Sequence, residues 1–282
     1  MNKLIEFTKM HGLGNDYIYI DCTKKYSVKN LITATKNLSN RHFGIGSDGL
    51  ILISPSNIAD FKMQIINSDG SQAQMCGNGI RCVGKFIFDN KLSDKTNLTI
   101  ETLAGIKKLQ LNLKNNSVDT VTVDMGKPIF TPEKIPLLAK NNSIEINSMK
   151  FTCLSLGNPH AVTIVNDINK IDVKKIGPLI ENDKHFPQKI NVEFIEIVNK
   201  NHVKMKVWER GSGLTLACGT GACACCVAAI ENNLAHKNEN IKVELPGGCL
   251  TINWRENIFM TGPATTVFTG KIDEKFFSLE EF

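Results

Sequence analysis

The sequence predicts an α+β protein made of two pseudo-symmetric halves. The phrase Cys-Gly-Asn-Gly at residues 76–79 recurs as Cys-Gly-Thr-Gly at residues 218–221, which is 142 positions later (218 minus 76) in a chain of 282 residues. Most of the chain consists of short segments in which apolar and polar residues alternate, as in strands that bury one face. Each cysteine phrase precedes a stretch of small or apolar residues that suits a helix.

The repeat extends beyond the cysteine phrases. At the same offset of 142, the alternating segment 61–67 falls on 203–209, and a polar side chain closes both segments. At an offset of 143, the Leu-Gly-Asn of residues 13–15 falls on the Leu-Gly-Asn of residues 156–158. We therefore expect the halves to share a fold. We also expect their matched polar positions to face each other across an active-site cleft between the halves.

Strand signals surround two helix signals in the first half. The glycine-rich loop at residues 41–49 is not predicted to bind a nucleotide, because it lacks the Gly-Lys-Ser/Thr ending and the following helix of a nucleotide-binding loop. Alternation predicts strands and apolar residues at helical spacing predict helices. The predicted strands lie within residues 5–20 (strand, turn, strand), 50–53, 61–67 and 97–125, and the predicted helices at residues 28–40 and 80–90.

The second half shows the same kinds of element in a similar order. Residues 126–142 contain three prolines and little periodicity, so we expect them to link the halves. Asn191 stands in a polar break before a strand. The predicted strands are residues 151–156, 161–165, 192–198, 203–209 and further strands to about residue 270, and the predicted helices are residues 171–182 and 222–232.

Bulk composition indicates an ordinary globular protein, with 42% hydrophobic and 22% charged residues. The net charge of +5 is modest and its lysines and arginines are scattered, so nucleic-acid binding is not indicated. No apolar run approaches the roughly 18 residues of a membrane helix, so no membrane partner is expected. Nine cysteines without an export signal favour a reduced, cytoplasmic protein over a disulfide framework.

The two cysteine phrases suit proton transfer at a carbon. Inverting a carbon centre requires a base on one face and an acid on the other, and a thiol with an ordinary pKa of about 8.5 can serve as either. A helix N-terminus favours the thiolate of the cysteine that precedes it. Backbone N–H groups at two helix starts can bind one carboxylate, which makes an α-amino acid a sensible substrate. The proposed donors are Gly77, Asn78, Gly219 and Thr220.

Several other polar residues have both a functional and a structural interpretation. Glu209 could hold the substrate ammonium, and Arg210 could bind a second carboxylate in bidentate fashion. His160 could be a base, but a supporting hydrogen bond is the preferred interpretation. The asparagines at 15, 67 and 191 could face a ligand or stabilise turns. Cys223, Cys225 and Cys226 point to different sides of one helix, so no metal site is expected. Cys22, Cys82, Cys153, Cys225, Cys226 and Cys249 are treated as packing residues.

The motifs around both cysteines resemble those of the diaminopimelate epimerase family. The similarity is carried by residues 75–82 and 208–224, by the opening residues 7–16, and by residues 67–71 and 157–160. It implies an isomerase that interconverts LL- and meso-2,6-diaminopimelate without a cofactor, in lysine and peptidoglycan precursor biosynthesis. It implies that Cys76 and Cys218 are the acid/base pair and that His160 supports the site. The substrate-binding positions it implies are Asn15, Asn67, Gly77, Asn78, Asn158, Asn191, Glu209, Arg210, Gly219 and Thr220.

The resemblance also implies the architecture. Each half is expected to be a mostly antiparallel sheet curled around a central helix, and the protein is expected to form a homodimer. The C-terminal segment should return to the first half, which gives domains of residues 1–118 plus 268–282 and of residues 119–267. One departure lies at Gly49, where some members have a glutamine that contacts substrate. Glycine cannot make that contact, so Gly49 is not assigned to the site.

Two alternatives remain open at the level of sequence. The first is a related proline or hydroxyproline racemase or epimerase, although such relatives tend to carry histidine at the position of Asn78 and Arg210 suits a dicarboxylic substrate. The second is a thiol redox or metal-binding module, which predicts bound metal or a functional disulfide. In the epimerase hypothesis, a disulfide between Cys76 and Cys218 would inactivate the protein, and a reductant would restore its activity.

Overall fold

The computed structural model describes residues 4–23, 30–274 and 276. The chain divides into two compact units. Unit 1 contains the described residues of Met1–Val123 and Pro263–Phe282, and unit 2 is Asp124–Gly262. The divisions expected from the sequence, at 118/119 and 267/268, lie near these positions.

Unit 1 begins with ten elements in chain order. They are β1 (Leu4–Gly12), β2 (Asn15–Asp21), α1 (Leu31–Ser39), β3 (Gly49–Ser54), β4 (Phe61–Asn67), β5 (Gln72–Ala73), α2 (Gly77–Asp89), β6 (Asn97–Thr102), β7 (Gly105–Lys114) and β8 (Ser117–Gly126). The helix predicted over residues 28–40 is observed as α1, and residues 28 and 29 lie outside the described part of the chain.

Unit 2 follows with eleven α and β elements, after which the chain returns to unit 1 as one last strand. Those of unit 2 are β9 (Ser143–Ile146), β10 (Met149–Ser155), β11 (Pro159–Ile164), α3 (Val173–Glu181), β12 (Asn191–Asn199), β13 (His202–Glu209), β14 (Gly213–Leu214), α4 (Gly219–Glu231), β15 (Asn240–Leu245), β16 (Gly248–Trp254) and β17 (Ile258–Pro263), and the returning strand is β18 (Thr265–Asp273).

The two sheets repeat one pattern of pairing. In unit 1 the order is β18-β1-β2-β3-β4-β6-β7-β8, with β5 also on β4, and only β2–β3 and β4–β6 are parallel among these pairs. In unit 2 the order is β9-β10-β11-β12-β13-β15-β16-β17, with β14 also on β13, and β11–β12 and β13–β15 are the parallel pairs. The predicted α+β fold with two pseudo-symmetric, mostly antiparallel halves is confirmed.

Each unit has one helix in its core. In α4 the residues from Gly219 to Ala229 are buried except Thr220, and the helix contacts strands β10, β11, β12, β13, β15 and β16. Its alanine, cysteine and glycine side chains are small, so the surrounding strands can approach its backbone closely. The helix α2 occupies the corresponding place in unit 1, where it contacts β1, β2 and β7.

The structure corrects several expected boundaries. The helices α2 and α4 begin at Gly77 and Gly219, three residues before the predicted starts at 80 and 222. Asn191 is the first residue of β12 and does not stand in a break before it. The strand β9 was not predicted; it forms a hairpin with β10 through Asn147 and Ser148, whose φ values of 51° and 62° suit a tight two-residue turn. Among the described residues, no helix combines the length and apolarity needed to span a membrane.

Candidate active site

The two cysteines of the repeated phrase occupy the same position on their helices. Cys76 is the N-cap of α2, and its Sγ accepts a hydrogen bond of 3.3 Å from the backbone N–H of Gly79. Cys218 is the N-cap of α4, and its Sγ accepts one of 3.4 Å from the backbone N–H of Gly221. Because a helix N-terminus carries partial positive charge, both positions stabilise a thiolate. Each unit therefore presents one sulfur atom suited to gaining and losing a proton.

In unit 1, polar side chains surround Cys76. The thiol donates to Oδ1 of Asn15 over 3.2 Å, and Nδ2 of Asn15 donates to Oδ2 of Asp48 over 2.8 Å. The hydroxyl of Tyr17 donates to Oδ1 of Asn67 over 3.4 Å. Burial raises the pKa of Tyr17, and the negative charges of Cys76 and Asp48 raise it further. Tyr17 is therefore a neutral hydrogen-bond donor beside this thiol.

At the first turn of α2, the backbone N–H groups are better placed to bind a ligand than the side chains are. The side chain of Asn78 is buried, and its Oδ1 accepts a hydrogen bond of 2.9 Å from Nη2 of Arg81. The carbonyl of Gly77 accepts from Nη1 of the same arginine over 3.0 Å. A substrate carboxylate at this helix start would therefore be bound through backbone N–H groups, because the first-turn amides have no acceptor within the helix.

Gly49 is closed to any side chain. A Cβ atom built there would lie 2.2 Å from the carbonyl oxygen of Ile66 and 2.9 Å from the ring of Tyr17. The observed backbone of unit 1 therefore leaves no space for a glutamine side chain at position 49. The close pairing of β3 with β4 requires the glycine found there.

In unit 2, a chain of hydrogen bonds leads from Cys218 into the core. The Sγ of Cys218 lies 3.5 Å from Oγ1 of Thr220, and Nδ2 of Asn158 donates to that hydroxyl over 3.2 Å. Nε2 of His160 lies 3.1 Å from Oδ1 of Asn158, and Nδ1 of His160 lies 2.6 Å from Oε1 of Glu193. Both His160 and Glu193 are fully buried. His160 is thus placed to orient Asn158 and is separated from Cys218 by two side chains.

Burial and neighbouring charge act together on Cys218. Burial raises the pKa of its thiol well above the ordinary value, and the negative charges of Glu209 and Glu193 raise it further. Hydrogen bonds from Thr220 and from the backbone N–H of Gly221 lower it by less. At neutral pH Cys218 is therefore a protonated thiol.

Glu209 lies at the end of β13, next to this thiol. Burial raises the pKa of Glu209, whereas hydrogen bonds from Thr215 and Cys218 lower it. The hydroxyl of Thr215 donates a hydrogen bond to Oε1 of Glu209. The carboxyl group is therefore held by its neighbours and directed toward the sulfur of Cys218.

Asn191 and Arg210 are tied together at the same end of the unit 2 sheet. Nδ2 of Asn191 donates to the carbonyl of Pro159 over 2.8 Å, and its Oδ1 accepts from the backbone N–H of Arg210 over 2.9 Å. The Arg210 side chain is exposed and donates from Nη1 to the carbonyl of Gln188 over 3.3 Å. Asn191 therefore fixes the backbone of the loop that carries Arg210.

Three residues that were not predicted from the sequence lie beside the predicted ones. Asp48 and Tyr17 hold Asn15 and Asn67, and neither stands in a distinctive motif. Glu193 did have a signal, because it interrupts the apolar strand Val192-Glu193-Phe194-Ile195. Its Oε2 has no hydrogen-bond partner within the described residues, and an unsatisfied buried polar atom costs about 1–3 kcal/mol.

The remaining cysteines are mostly interior. Cys82, Cys153, Cys223, Cys225 and Cys226 are buried, whereas Cys249 is exposed. Within residues 4–23, 30–274 and 276, no group of three or more histidine, cysteine, aspartate and glutamate side chains is arranged to hold a metal ion.

Solved structures of several epimerases and isomerases share this fold. A hydroxyproline epimerase from Agrobacterium vitis, solved with trans-4-hydroxy-L-proline, superposes with a TM-score of 0.71 over 97% of this chain and 94% of that chain. Its sequence identity is 14%, so this likeness establishes the fold alone.

Sequence comparison is more specific. The family model described as Diaminopimelate epimerase matches residues 7–131 and 152–267. The diaminopimelate epimerase of Methanococcus maripaludis is 54% identical, over 95% of this chain and 100% of the relative. That of Acetivibrio thermocellus is 50% identical, over 95% of this chain and 99% of the relative. The chain belongs to the diaminopimelate epimerase family.

Proposed function

We propose that this protein interconverts LL- and meso-2,6-diaminopimelate by moving the α-proton between two cysteines, without a cofactor. The observation that carries the proposal is the pair of thiols, Cys76 and Cys218, which cap two equivalent helices with the same sulfur–amide hydrogen bond. Family membership indicates which substrate to expect, because the similar relatives are diaminopimelate epimerases.

The proposed reaction uses one cysteine as base and the other as acid on opposite faces of one α-carbon. When Cys76 is the thiolate, it takes the α-proton and the C–H electron pair remains on the carbon. The thiol of Cys218 then donates its proton to the opposite face. The turnover leaves Cys76 protonated and Cys218 as thiolate, and the reverse reaction restores the first state. The raised pKa of Cys218 favours its starting as the acid.

The carbanion intermediate places negative charge on the neighbouring carboxylate. Backbone N–H groups at a helix start are fixed donors, so they stabilise this charge as it develops. We assign this role to the first turns of α2 and α4, at Gly77, Asn78, Gly219 and Thr220. Glu209 is assigned to the ammonium group. The distal amino-acid end is assigned to Arg210 and to the asparagines Asn15, Asn67, Asn158 and Asn191.

The proposed activity also implies a cellular location and a biosynthetic role. A diaminopimelate epimerase supplies the meso isomer for lysine and peptidoglycan precursor synthesis, and we propose that this protein works in the cytoplasm as a homodimer. Reduced thiols are required by the chemistry, and a cytoplasmic location keeps them reduced.

Substrate choice is the direct test. Reduced protein is incubated separately with LL-diaminopimelate, L-proline and trans-4-hydroxy-L-proline, without added cofactor, and the stereoisomers are resolved by chiral chromatography. We expect conversion of LL-diaminopimelate to the meso isomer and no conversion of the other two. Turnover of proline or hydroxyproline without turnover of diaminopimelate would overturn the proposal.

A further inference from the structure

The helix α3 of unit 2 ends on a buried carboxylate. Glu181 is the last residue of this helix, and its side chain is buried. Neither condition favours a negative charge, because a carboxylate is poorly solvated in the core and the C-terminal end of a helix is itself partly negative. A glutamate at this position therefore depends on the donors that surround it.

Both carboxylate oxygens of Glu181 bond to residues outside α3. Oε2 accepts a hydrogen bond of 2.7 Å from Nε1 of Trp208, near the end of β13. Oε1 accepts one of 3.1 Å from the backbone N–H of Gly211. Nζ of Lys189 lies 3.8 Å from Oε1 and supplies an opposite charge. Glu181 therefore joins α3 to β13 and to the loop that follows β13, which we call the Arg210 loop (residues 210–212).

The indole of Trp208 packs against glycines on both sides of this junction. A Cβ atom built on Gly177 of α3 would lie 2.5 Å from Cγ of Trp208, so a larger residue at 177 would collide with the ring. A Cβ atom built on Gly213, directly after the Arg210 loop, would lie 3.3 Å from Cη2 of the same ring. The ring therefore adds packing contacts to the segments that Glu181 joins.

Two successive backbone N–H groups of the Arg210 loop are held by side-chain oxygens. That of Arg210 donates to Oδ1 of Asn191 over 2.9 Å, and that of Gly211 donates to Oε1 of Glu181. These acceptors come from different elements, the start of β12 and the end of α3. The backbone is therefore fixed at Arg210 and directly after it, although the Arg210 side chain is exposed.

Unit 1 contains the same turn at the repeat offset of 142. In unit 1 the N–H of Gly70 donates to the carbonyl of Asn67 over 2.9 Å. In unit 2 the N–H of Ser212 donates to the carbonyl of Glu209 over 3.0 Å. The turn that follows the strand is therefore a feature of the shared topology.

The residue at the end of the neighbouring helix is not shared. At the offset of 142, Glu181 of α3 takes the place of Ser39, the last residue of α1 (39 plus 142). The hydroxyl of Ser39 accepts a hydrogen bond of 3.0 Å from the hydroxyl of Ser47, outside the turn. The turn thus folds without a carboxylate in unit 1. Glu181 therefore serves something specific to unit 2, whose loop carries Arg210 where unit 1 has Ser68.

We propose that Glu181 and Trp208 are positioning residues that hold the Arg210 loop so that Arg210 is ready to bind the carboxylate at the distal end of the substrate. Fixing the backbone of a binding residue in advance reduces the entropy that is lost when the ligand binds. Since Arg210 is assigned to the distal end, this inference rests on the proposed function. It makes selectivity for a second carboxylate depend on the end of α3.

The hold on the loop is tested without substrate, by amide hydrogen exchange followed by NMR in ¹⁵N-labelled protein. We expect the Gly211 amide to exchange at least about tenfold faster in Glu181→Leu, which has no acceptor. The matched control is Glu196→Leu, because Glu196 also accepts from a backbone N–H of unit 2, that of Ile168, over 2.9 Å. It should leave Gly211 unchanged.

Equal Gly211 exchange in Glu181→Leu and the wild type would overturn the inference. Folding of each variant is checked by circular dichroism. If leucine prevents folding, Glu181→Gln replaces it, and the Gly211 amide is measured together with the Trp208 indole. The single acceptor oxygen of glutamine cannot serve both donors, so at least one of the two N–H groups should exchange faster. Unchanged exchange of both would then overturn the inference.

The consequence for binding is a second readout. We expect Glu181→Gln to raise KM for LL-diaminopimelate at least about fivefold and to change kcat by less than about twofold, because the distal end is bound alike in the ground state and the transition state. Glu196→Gln should change neither constant. A fall in kcat at unchanged KM, or equal effects of the two variants, would show that Glu181 does not act on the distal end.

A double-mutant cycle tests whether Glu181 acts through Arg210. Lysine cannot make a bidentate contact with a carboxylate, so we expect Glu181→Gln to raise KM less than about twofold further when it is added to Arg210→Lys. Effects of the two substitutions that simply multiply would overturn the inference. Because amide exchange does not depend on diaminopimelate, it separates failure of the hold on the loop from failure of the proposed function.

Discussion

The two cysteines of the repeat share a helix position but not an environment. Cys76 is partly exposed, whereas Cys218 is buried. Burial and the charges of Glu209 and Glu193 raise the pKa of Cys218. Because the thiolate is the reactive species, the two sulfur atoms should differ in their reactivity toward electrophiles.

We predict that iodoacetamide modifies Cys76 faster than Cys218 at pH 7.5, by at least about tenfold, since each unit by which a thiol pKa is raised lowers the thiolate fraction about tenfold. Rates are measured by peptide mapping with mass spectrometry. The exposed Cys249 reports reagent access, and Cys226, whose pKa burial raises to about 12, should stay unmodified. Equal rates at Cys76 and Cys218 would contradict the described difference in burial and charge.

At the residue scale, the two cysteines of the repeated phrase could be predicted from the sequence. The residues that contact the predicted polar side chains were not predicted. Cys76 and Cys218 were identifiable because each stands in a short glycine phrase. Tyr17 was not, because its contact with Asn67 joins strands that are fifty residues apart in sequence. Glu193 was identifiable in principle, since the repeat offset of 142 pairs it with Ile51 and its charge breaks the apolar pattern of residues 192–195.

At the scale of the element, α2 depends on a buried arginine that α4 lacks. Arg81 is fully buried and donates to the carbonyls of Gly77 and Pro263 and to Oδ1 of Asn78. At the repeat offset its place is taken in α4 by Cys223, which is buried. Through Pro263, the guanidinium ties the first turn of α2 to the start of the returning C-terminal segment.

We predict that Arg81→Met lowers the free energy of unfolding by about 3 kcal/mol or more, because it leaves buried acceptors without a donor. The measurement is urea denaturation followed by circular dichroism. Lys108→Met, at an exposed position of β7, is the control and should change stability by less than about 0.5 kcal/mol. A loss at Arg81 no larger than at Lys108 would show that the guanidinium contributes nothing to the stability of unit 1.

The helix starts show what periodicity alone could not predict. Apolar spacing places the helices from residues 80 and 222, because glycines carry no hydrophobic signal. The observed starts are three residues earlier, since the sulfur atoms of Cys76 and Cys218 cap the first turns. The hairpin strand β9 was missed for a related reason: it is short and follows a proline-containing segment, and its pairing depends on the turn at Asn147 and Ser148.

At the scale of the whole molecule, the internal repeat predicted most of the fold. Strand order, the two parallel pairs and the capped helix recur in both units. Duplication explains the shared topology but not the distribution of charge. The buried His160–Glu193 pair lies only in unit 2 among the described residues, so the two thiols are chemically unequal although their backbones correspond.

The proposed reaction requires Cys76 and Cys218 to act as base and acid on one α-carbon. The most direct measurement follows LL-diaminopimelate in D₂O by NMR and mass spectrometry with reduced wild-type protein, Cys76→Ala and Cys218→Ala. We predict that, early in the reaction, the wild type forms meso product carrying one deuterium at the inverted α-carbon, and that either alanine variant, shown to be folded, forms none. Product that retains the substrate's α-proton from the first turnovers, or normal epimerisation by either variant, would show that the two cysteines are not the base and the acid.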